Sequence, residues 1–126
     1  MRVLLSIKPE FAFKIFDGSK RYEYRRTIFK RAEITTVVVY ASHPIKSVIG
    51  EFDIGEIIHS EPRELWMKTG DQSGITEDNF LKYFENKEKG YAIKVKKARR
   101  YDAPIALRNL MVQWPPQSFT YLQPVW

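Results

Sequence analysis

The stretch GSKRYEYR, residues 18–25, joins a predicted helix to a predicted strand, and it determines how we interpret the rest of the chain. Gly18 is typical of a helix end, because glycine adopts the left-handed conformation without steric cost. Aromatic and charged residues then alternate, and this period of two predicts a strand. Glu23 and Arg25 therefore share a face, roughly 6–7 Å apart along the backbone. The two tyrosines take the other face, as core residues or, if that face is open, as a platform for stacking bases.

Working outward, the residues before this stretch predict a strand followed by a helix. Residues 2–8 (RVLLSIK) form a short apolar run typical of a strand. Pro9 opens a helix, because its missing N–H costs nothing in the first turn. Apolar residues then recur on one side of about two turns, as far as Gly18.

Downstream patterns predict further strands with helices between them. Residues 35–40 (TTVVVY) indicate a buried strand, and residues 47–58 a long one that bends at Gly50 or Gly55, because glycine inside a strand often marks a bulge. Residues 61–67 and 75–84 predict helices, the second carrying three apolar residues on one side: Phe80, Leu81 and Phe84.

The last third of the chain returns to strands. From Gly90 onward Tyr91, Ile93 and Val95 alternate with lysines, which predicts another strand. An irregular tail is expected from Pro104, with a last aromatic strand suggested by Trp114, Phe119 and Tyr121, before Trp126. These elements predict a single α+β domain over residues 1–126, a β-barrel of five or six strands with short helices at its rim.

Charge is unevenly distributed along these 126 residues. The net charge of +6 is the sum of +11 in two basic segments, residues 20–31 and 87–100, and −5 elsewhere. Two basic segments suit a face that binds a polyanion such as nucleic acid. Solvated strand edges, whose lysines discourage edge pairing, explain the same pattern.

Composition removes several kinds of chemistry. The chain has no cysteine, which excludes disulfides, thiolate zinc sites and a cysteine nucleophile. Its two histidines, His43 and His59, are too few for an imidazole-rich metal site, so neither a metal nor another cofactor is expected. No apolar run approaches the roughly 18 residues of a membrane span or resembles a signal peptide, so we expect a cytoplasmic protein with no membrane partner.

Gly18, Lys20, Glu23 and Arg25 complete the pattern Gly-x-Lys-x-x-Glu-x-Arg. This pattern, at a helix-to-strand junction, resembles the signature of the ASCH domain family, small members of the PUA-like superfamily. Residues 115–119 (PPQSF) also look like segments of PUA-like proteins. The resemblance implies a PUA-like pseudo-barrel whose cleft, lined by the motif residues, faces RNA or a nucleotide.

The resemblance also leaves an enzymatic alternative open. Some ASCH members look like hydrolases acting on N4-acetylcytidine, and others are described as ribonucleases. The amidohydrolase-type members carry a nucleophilic threonine where this chain has Glu23, which cannot form the same acyl intermediate. Glu23 can still serve as a general base on water if burial raises its pKa, although Arg25 opposes that shift.

The leading hypothesis is a module that binds RNA, or a single-stranded or modified nucleotide. In this hypothesis the cations that contact phosphate or a base edge are Lys20, Arg25 and Arg26. Glu23 would orient Arg25 or accept from a base amino group. Three lysines would extend the positively charged surface along the ligand: Lys94, Lys96 and Lys97. The alternative is a small hydrolase acting on a modified nucleoside or on RNA through three residues: Lys20, Glu23 and Asp71. A third interpretation is an interaction domain that holds no nucleotide.

Each candidate residue also has a structural interpretation. Glu23 and Arg25 can be an internal ion pair, and Lys20 a solvated turn residue. A second carboxylate can come from Glu51, Asp53 or Glu56, although a solvent-facing strand explains these acids equally well. The histidines are more typical of turns and the tryptophans Trp66 and Trp114 of packing than of catalysis or base stacking.

Overall fold

The computed structural model describes residues 1–122 as an α+β domain; residues 123–126, with Trp126, lie outside the described residues. The six strands are β1 (Arg2–Ile7), β2 (Tyr22–Arg25), β3 (Thr36–Ala41), β4 (Ser47–Ser60), β5 (Gly90–Ile105) and β6 (Phe119–Tyr121). The three helices are α1 (Pro9–Asp17), α2 (Pro62–Thr69) and α3 (Glu77–Tyr83). The predicted class, strand number and short helices are confirmed.

One sheet contains all six strands in the order β2-β5-β4-β3-β1-β6. The β1–β3 pair is parallel, and the other pairs are antiparallel. The sheet curls into a half-barrel that brings its two edge strands together. Arg25 of β2 donates from Nη2 to the carbonyl oxygen of Ser118, beside β6, at 3.1 Å.

Glycines accommodate the sharp bends of β4. The β4–β5 register shifts between Val48 and Gly50 and again across Gly55, so both predicted glycines lie at irregularities. A Cβ on Gly50 would stand 2.5 Å from Cζ of Phe16 and 2.6 Å from the carbonyl oxygen of Arg99. Only glycine therefore lets α1 and β5 approach β4 this closely.

Two apolar layers sandwich the sheet near the motif. One layer packs α1 against β1, β3 and β4, with Ile15 and Phe52 fully buried. The other packs α2 and α3 against β2 and β5 through Leu65 and Phe80. Strand β2 lies between these layers, so all four of its residues are buried.

The structure corrects several details of the sequence interpretation. The two β2 tyrosines, Tyr22 and Tyr24, belong to the core under α2 and α3 and offer no open stacking platform. Leu81 points away from that core and is half exposed, and Trp114 lies outside β6 and is mostly exposed. Strand β5 continues through Pro104 to Ile105, beyond the predicted end, because it pairs with the whole length of β4.

Candidate functional site

The residues Lys20, Glu23 and Arg25 converge at the junction of α1 and β2, and we call them the motif cluster. Gly18 ends α1 with φ of 88°, and the chain then turns so that the Lys20 amide donates to the Lys14 carbonyl. Lys20 Nζ lies 3.9 Å from Glu23 Oε1, and Arg25 Nη1 lies 3.4 Å from Glu23 Oε2. Glu23 and Arg25 share a face, as their spacing predicts, and Lys20 joins them.

Lys20 is almost fully buried, with 2% of its surface exposed. Its Nζ donates to the carbonyl oxygen of Ser73 at 2.7 Å and stands 5.3 Å and 5.0 Å from the ring centres of Phe11 and Tyr24. Burial lowers the pKa of Lys20, and the nearby Glu23 carboxylate opposes this by favouring the charged form. Lys20 is thus a desolvated ammonium, not the solvated turn residue considered above.

Arg25 connects the two edges of the half-barrel. Its Nη2 donates to the Ser118 hydroxyl at 2.8 Å as well as to that residue's carbonyl, and Nη1 donates to the Ser6 carbonyl at 3.3 Å. These partners lie on the opposite side of the strand order from β2. The hydrogen bonds of Arg25 therefore form only when the sheet is curled and the C-terminal segment is in place.

Glu23 is the only acid in the motif cluster, so the three formal charges sum to +1. Its two contacts, at 3.9 Å and 3.4 Å, are longer than the 2.7–2.9 Å typical of charge-assisted hydrogen bonds. The carboxylate is therefore held loosely between two cations. Surplus positive charge and a loosely held acceptor suit an anionic group that also carries a hydrogen-bond donor. The three side chains are buried, however, and they line neither the cavity at Trp114 and Tyr121 nor the groove at Arg26 and Lys87, so the expected open cleft is not seen there.

Tyr83, at the end of α3, is a functional candidate that the sequence patterns did not single out. Its hydroxyl donates to the Tyr24 carbonyl at 3.2 Å. Burial raises the pKa of Tyr83, and the charges of Arg25, Glu23 and Arg26 also act on this hydroxyl. Tyr83 thus lies near both the motif cluster and the exposed Arg26. Its signal in the sequence was its place three residues after the core residue Phe80.

Ser118 and Ser73 were also missed as partners of the cluster. Both bind the motif cations through backbone carbonyls, 93 and 53 residues away along the chain. Backbone acceptors leave no mark in a sequence. The segment 115–119 was noticed only through the family resemblance.

The structure separates the predicted lysine track from the motif cluster. Lys94 pairs with Tyr22 across β2 and β5, so it lies on the opposite face from Glu23 and Arg25. The stems of Lys94 and Lys96 cover Gly55 of β4, within 3.0–3.1 Å of a Cβ built there. Lys97 is exposed and adopts a left-handed backbone conformation, with φ of 48°.

Asp71 is exposed in the turn that follows α2, two residues before Ser73. Within residues 1–122 it forms no ion pair with Lys20 or Arg25. The structure therefore brings the turn to the cluster through Ser73 and leaves the Asp71 carboxylate outside it.

A second group of charges joins β4 to β5 on the surface: Glu51, Asp53 and Arg99, which we call the outer clip. Arg99 Nη2 donates to Glu51 at 2.6 Å and to Asp53 at 3.0 Å, and the Tyr101 hydroxyl donates to Glu51 at 2.7 Å. Burial by itself would raise the pKa of Glu51, but the hydrogen bonds from Arg99 and Tyr101 bring it below its ordinary value. These acids are engaged in a strand-to-strand contact.

The remaining candidates have structural surroundings. His59 stacks on Tyr91 with ring centres 4.2 Å apart, Trp66 packs on Phe80, and His43 is exposed in a turn. Glu56 is exposed on β4. The described residues contain no group of three or more histidines and acids that could hold a metal ion, and no helix among them is long and apolar enough to cross a membrane.

Comparison with known proteins shows which family this chain resembles in sequence and in structure. A family model described as a domain of unknown function (DUF365) matches residues 1–114. An ASCH domain-containing ribonuclease from Zymomonas mobilis is 33% identical, with 95% of this chain and 83% of that protein covered. The crystal structure of ASCH from Zymomonas mobilis superposes with a TM-score of 0.88 at 33% identity, over 97% of this chain and 87% of that one.

Two more distant matches add context. The large ribosomal subunit protein uL22 of Ureaplasma parvum is 30% identical over 96% of this chain, which spans only 39% of that protein. The N-terminal domain of Staphylothermus marinus McrB matches at 14% identity with a TM-score of 0.51, and it supports the fold alone.

A curled six-stranded sheet with short helices, similar over nearly its whole length to the ASCH crystal structure, defines a PUA-like domain. Within that class, the chain belongs to the DUF365 family and is an ASCH domain.

Proposed function

We propose that this protein binds RNA, or a single-stranded or modified nucleotide, with the motif cluster as its polar site. The observation that carries the proposal is the loosely held carboxylate of Glu23 between Lys20 and Arg25, in a buried cluster of net charge +1. An incoming phosphate or base edge would replace Ser118 as the partner of Arg25 Nη2, while Glu23 accepts from a base amino group.

Two further observations support RNA as the ligand class. The Zymomonas mobilis relative carries the name ribonuclease, and the similarity extends over nearly the whole of this chain. The exposed cation Arg26 directly follows the motif cluster. Three lysines of β5 add to the positive field that attracts a polyanion: Lys94, which lies on the far face of the sheet, Lys96 and Lys97. Binding in the cytoplasm, where RNA is abundant, remains our expectation.

The proposal is tested with a charge-conserving pair of variants, Arg25→Lys and Arg99→Lys. Both keep the net charge of +6, so long-range attraction to RNA is unchanged. A lysine at position 25 cannot supply the planar fork of donors that Arg25 directs at Ser118, Ser6 and Glu23. Fluorescence anisotropy with a labelled single-stranded RNA decamer should show affinity reduced about tenfold for Arg25→Lys and unchanged for Arg99→Lys.

Equal affinity of the two variants would refute the motif cluster as the binding site. Thermal melting followed by circular dichroism shows that each variant is folded at the assay temperature. The affinity of the wild type should also fall steeply with salt, because neutralised phosphates release their counterions. A flat dependence would contradict binding through phosphate.

A second candidate function, RNA or modified-nucleoside hydrolysis, is favoured by the lowered pKa of Lys20 beside Glu23. In RNA cleavage Glu23 would take the proton of the ribose 2′-hydroxyl, the 2′-oxygen would attack phosphorus, and the 5′-oxygen would leave with a proton from the medium. Lys20 would stabilise the charge on phosphorus, with Asp71 moving in from its turn as an accessory acid. On a modified nucleoside the same base would activate water.

The variant Glu23→Asp separates the two functions, because it keeps the charge of the cluster and withdraws the carboxylate by about one bond. If the protein is only a binder, the wild type and Glu23→Asp will both leave end-labelled RNA intact under single-turnover conditions. A hydrolase will yield product with the wild type and at least about tenfold less with Glu23→Asp at similar RNA affinity.

A further inference from the structure

A groove on the surface beside β2 lies outside the motif cluster. One wall is the segment after β2, with Arg26 and Lys30, and the other is the turn between α3 and β5, with Lys87 and Lys89. His59 at the end of β4 and Tyr91 at the start of β5 contribute rings to its lining. The groove has a volume of about 680 Å³ and is open to solvent.

The groove is strongly positive. Arg26, Lys30, Lys87 and Lys89 face a single acid, Glu88. None of these four cations forms an ion pair within residues 1–122, whereas Arg99 of the outer clip binds two acids at once. Unneutralised cations converging from two separate segments are typical of a surface that binds phosphates.

An aromatic pair gives the groove a second kind of recognition. His59 and Tyr91 are partners across β4 and β5, and their rings stack with centres 4.2 Å apart and planes 11° from parallel. His59 is exposed, so this stack ends at the surface. Cations beside an exposed planar ring suit a single-stranded nucleic acid, whose bases stack while its phosphates pair with the cations.

The groove begins where the motif cluster ends. Arg26 follows Arg25 directly in the chain, at the bend where β2 ends, and it is exposed whereas Arg25 is buried. The Tyr83 hydroxyl, bonded to the Tyr24 carbonyl, lies near the charges of both arginines. A bound strand with a nucleotide at Arg25 would therefore enter the groove at Arg26.

We propose that this groove is a subsite for single-stranded RNA, in which the four cations hold the sugar-phosphate backbone and a base stacks on His59. The proposal rests on the proposed function, since it takes RNA to be the ligand of the neighbouring cluster. In this proposal the cations that hold RNA beside the motif cluster are those of the groove, next to the end of β2. The lysines inferred from the sequence, Lys94, Lys96 and Lys97, do not take that role.

Two double variants with equal loss of charge test the groove. Lys87→Gln/Lys89→Gln removes two groove cations, and Arg63→Gln/Lys68→Gln removes two exposed cations from α2. With a labelled RNA decamer, the groove variant should bind about tenfold more weakly at physiological salt, and its log-log salt slope should be smaller by roughly 1.4. The α2 variant should lose less than about threefold.

Shorter and altered ligands sharpen the test. A dinucleotide, too short to fill both sites, should bind the groove variant and the wild type equally. His59→Ala should weaken the RNA decamer about fivefold and leave an abasic ribose-phosphate decamer unaffected, because only the first ligand has bases to stack. Equal losses in the two double variants, or displacement of RNA by polyglutamate at a matched charge concentration, would overturn the groove as an RNA subsite.

The outcomes separate this proposal from the function on which it rests. If Arg25→Lys weakens RNA binding and the groove variant does not, the groove is refuted and the motif site stands. If the groove variant weakens binding and Arg25→Lys does not, the motif site is refuted and the groove stands. A wild-type protein that binds no RNA refutes both.

Discussion

The motif cluster and the outer clip each join three charged side chains, but they differ in burial and in distance. The cluster is buried and has two cations, yet its ion pairs measure 3.4 Å and 3.9 Å. The outer clip is partly exposed and has two acids, and its pairs measure 2.6 Å and 3.0 Å. The looser geometry is found where desolvation costs most.

This difference indicates what each group does. The outer clip is saturated: Arg99 binds two acids, and Tyr101 donates to Glu51 as well. It fixes the register of β4 against β5 and has nothing to offer a ligand. The motif cluster has a surplus positive charge and a weakly bound acceptor, and its burial costs free energy because charged groups lose their hydration. Such an arrangement is typical of binding sites.

The largest contrast is expected when one acid is neutralised in each group. Glu23→Gln leaves two buried cations without a counterion and should lower the free energy of unfolding by about 3–5 kcal/mol. Glu51→Gln should cost about 1 kcal/mol or less, because Glu51 is partly exposed and its partner Arg99 is half exposed, so water compensates both groups. Urea denaturation measures both. Equal losses would mean that the cluster is as well solvated as the clip.

Backbone geometry offers a way to disturb the cluster without changing its charges. Gly74 has φ of 66°, and a Cβ there would stand 2.8 Å from Cβ of Lys20. Gly74→Ala should therefore cost about 2–4 kcal/mol, from left-handed strain together with the steric clash. It should also weaken RNA binding by displacing Lys20.

Gly18→Ala is the matched control, since Gly18 has φ of 88° with open space around its Cα. It should cost about 1 kcal/mol from strain alone. Thermal unfolding separates the two variants, and a Gly74→Ala protein as stable as Gly18→Ala would show that the Lys20 stem yields easily.

The fold and the motif cluster could be predicted from the sequence only in part. Local rules were sufficient for the helix end at Gly18, the bends at Gly50 and Gly55, and the shared face of Glu23 and Arg25, because each depends on the backbone within a few residues. The alternation of β2 predicted one buried face, the tyrosine face that α2 and α3 cover, but Glu23 and Arg25 on the other face are buried as well.

What the sequence could not provide depends on the curl of the sheet. Arg25 contacts Ser118 only because the two edge strands approach each other. Lys30 and Lys87 line the same groove only because β2 and β5 are neighbours. The lysines of residues 94–97 looked like an extension of the motif, yet pairing with β2 assigns Lys94 to the other face. Long-range pairing of this kind is not encoded in a local period.

Removing a single hydrogen bond from each group gives a smaller contrast. Ser118→Ala deletes the hydroxyl that accepts from Arg25, which should cost about 1.5–2 kcal/mol, as expected for a bond to a charged group in a protected site. Tyr101→Phe deletes the donor to Glu51 and should cost about 1 kcal/mol or less. Comparing the unfolding midpoints in urea tests the order, which would be reversed if Arg25 were held mainly by backbone carbonyls.

The smallest expected effect is a difference in alkaline pH dependence. Burial lowers the pKa of Lys20, so between that value and the ordinary value of about 10.4 the unfolded chain binds more protons than the folded protein. Stability contributed by position 20 must then rise with pH through this window. The unfolding free energy of the wild type, relative to that of Lys20→Met, should therefore increase as pH rises from neutral toward 9.5.

Arg99→Met supplies the control for this measurement. The hydrogen bonds that Arg99 donates to the carboxylates of Asp53 and Glu51 raise the pKa of Arg99 further above its already high value. Arg99 therefore does not titrate in this range, and the difference in unfolding free energy between Arg99→Met and the wild type should not change with pH. Stopping below the ordinary pKa of tyrosine, about 10, keeps the phenols protonated in both states. If the difference in unfolding free energy between the wild type and Lys20→Met is also independent of pH, Lys20 is hydrated in the folded protein. That result would contradict the desolvated cation in the motif cluster.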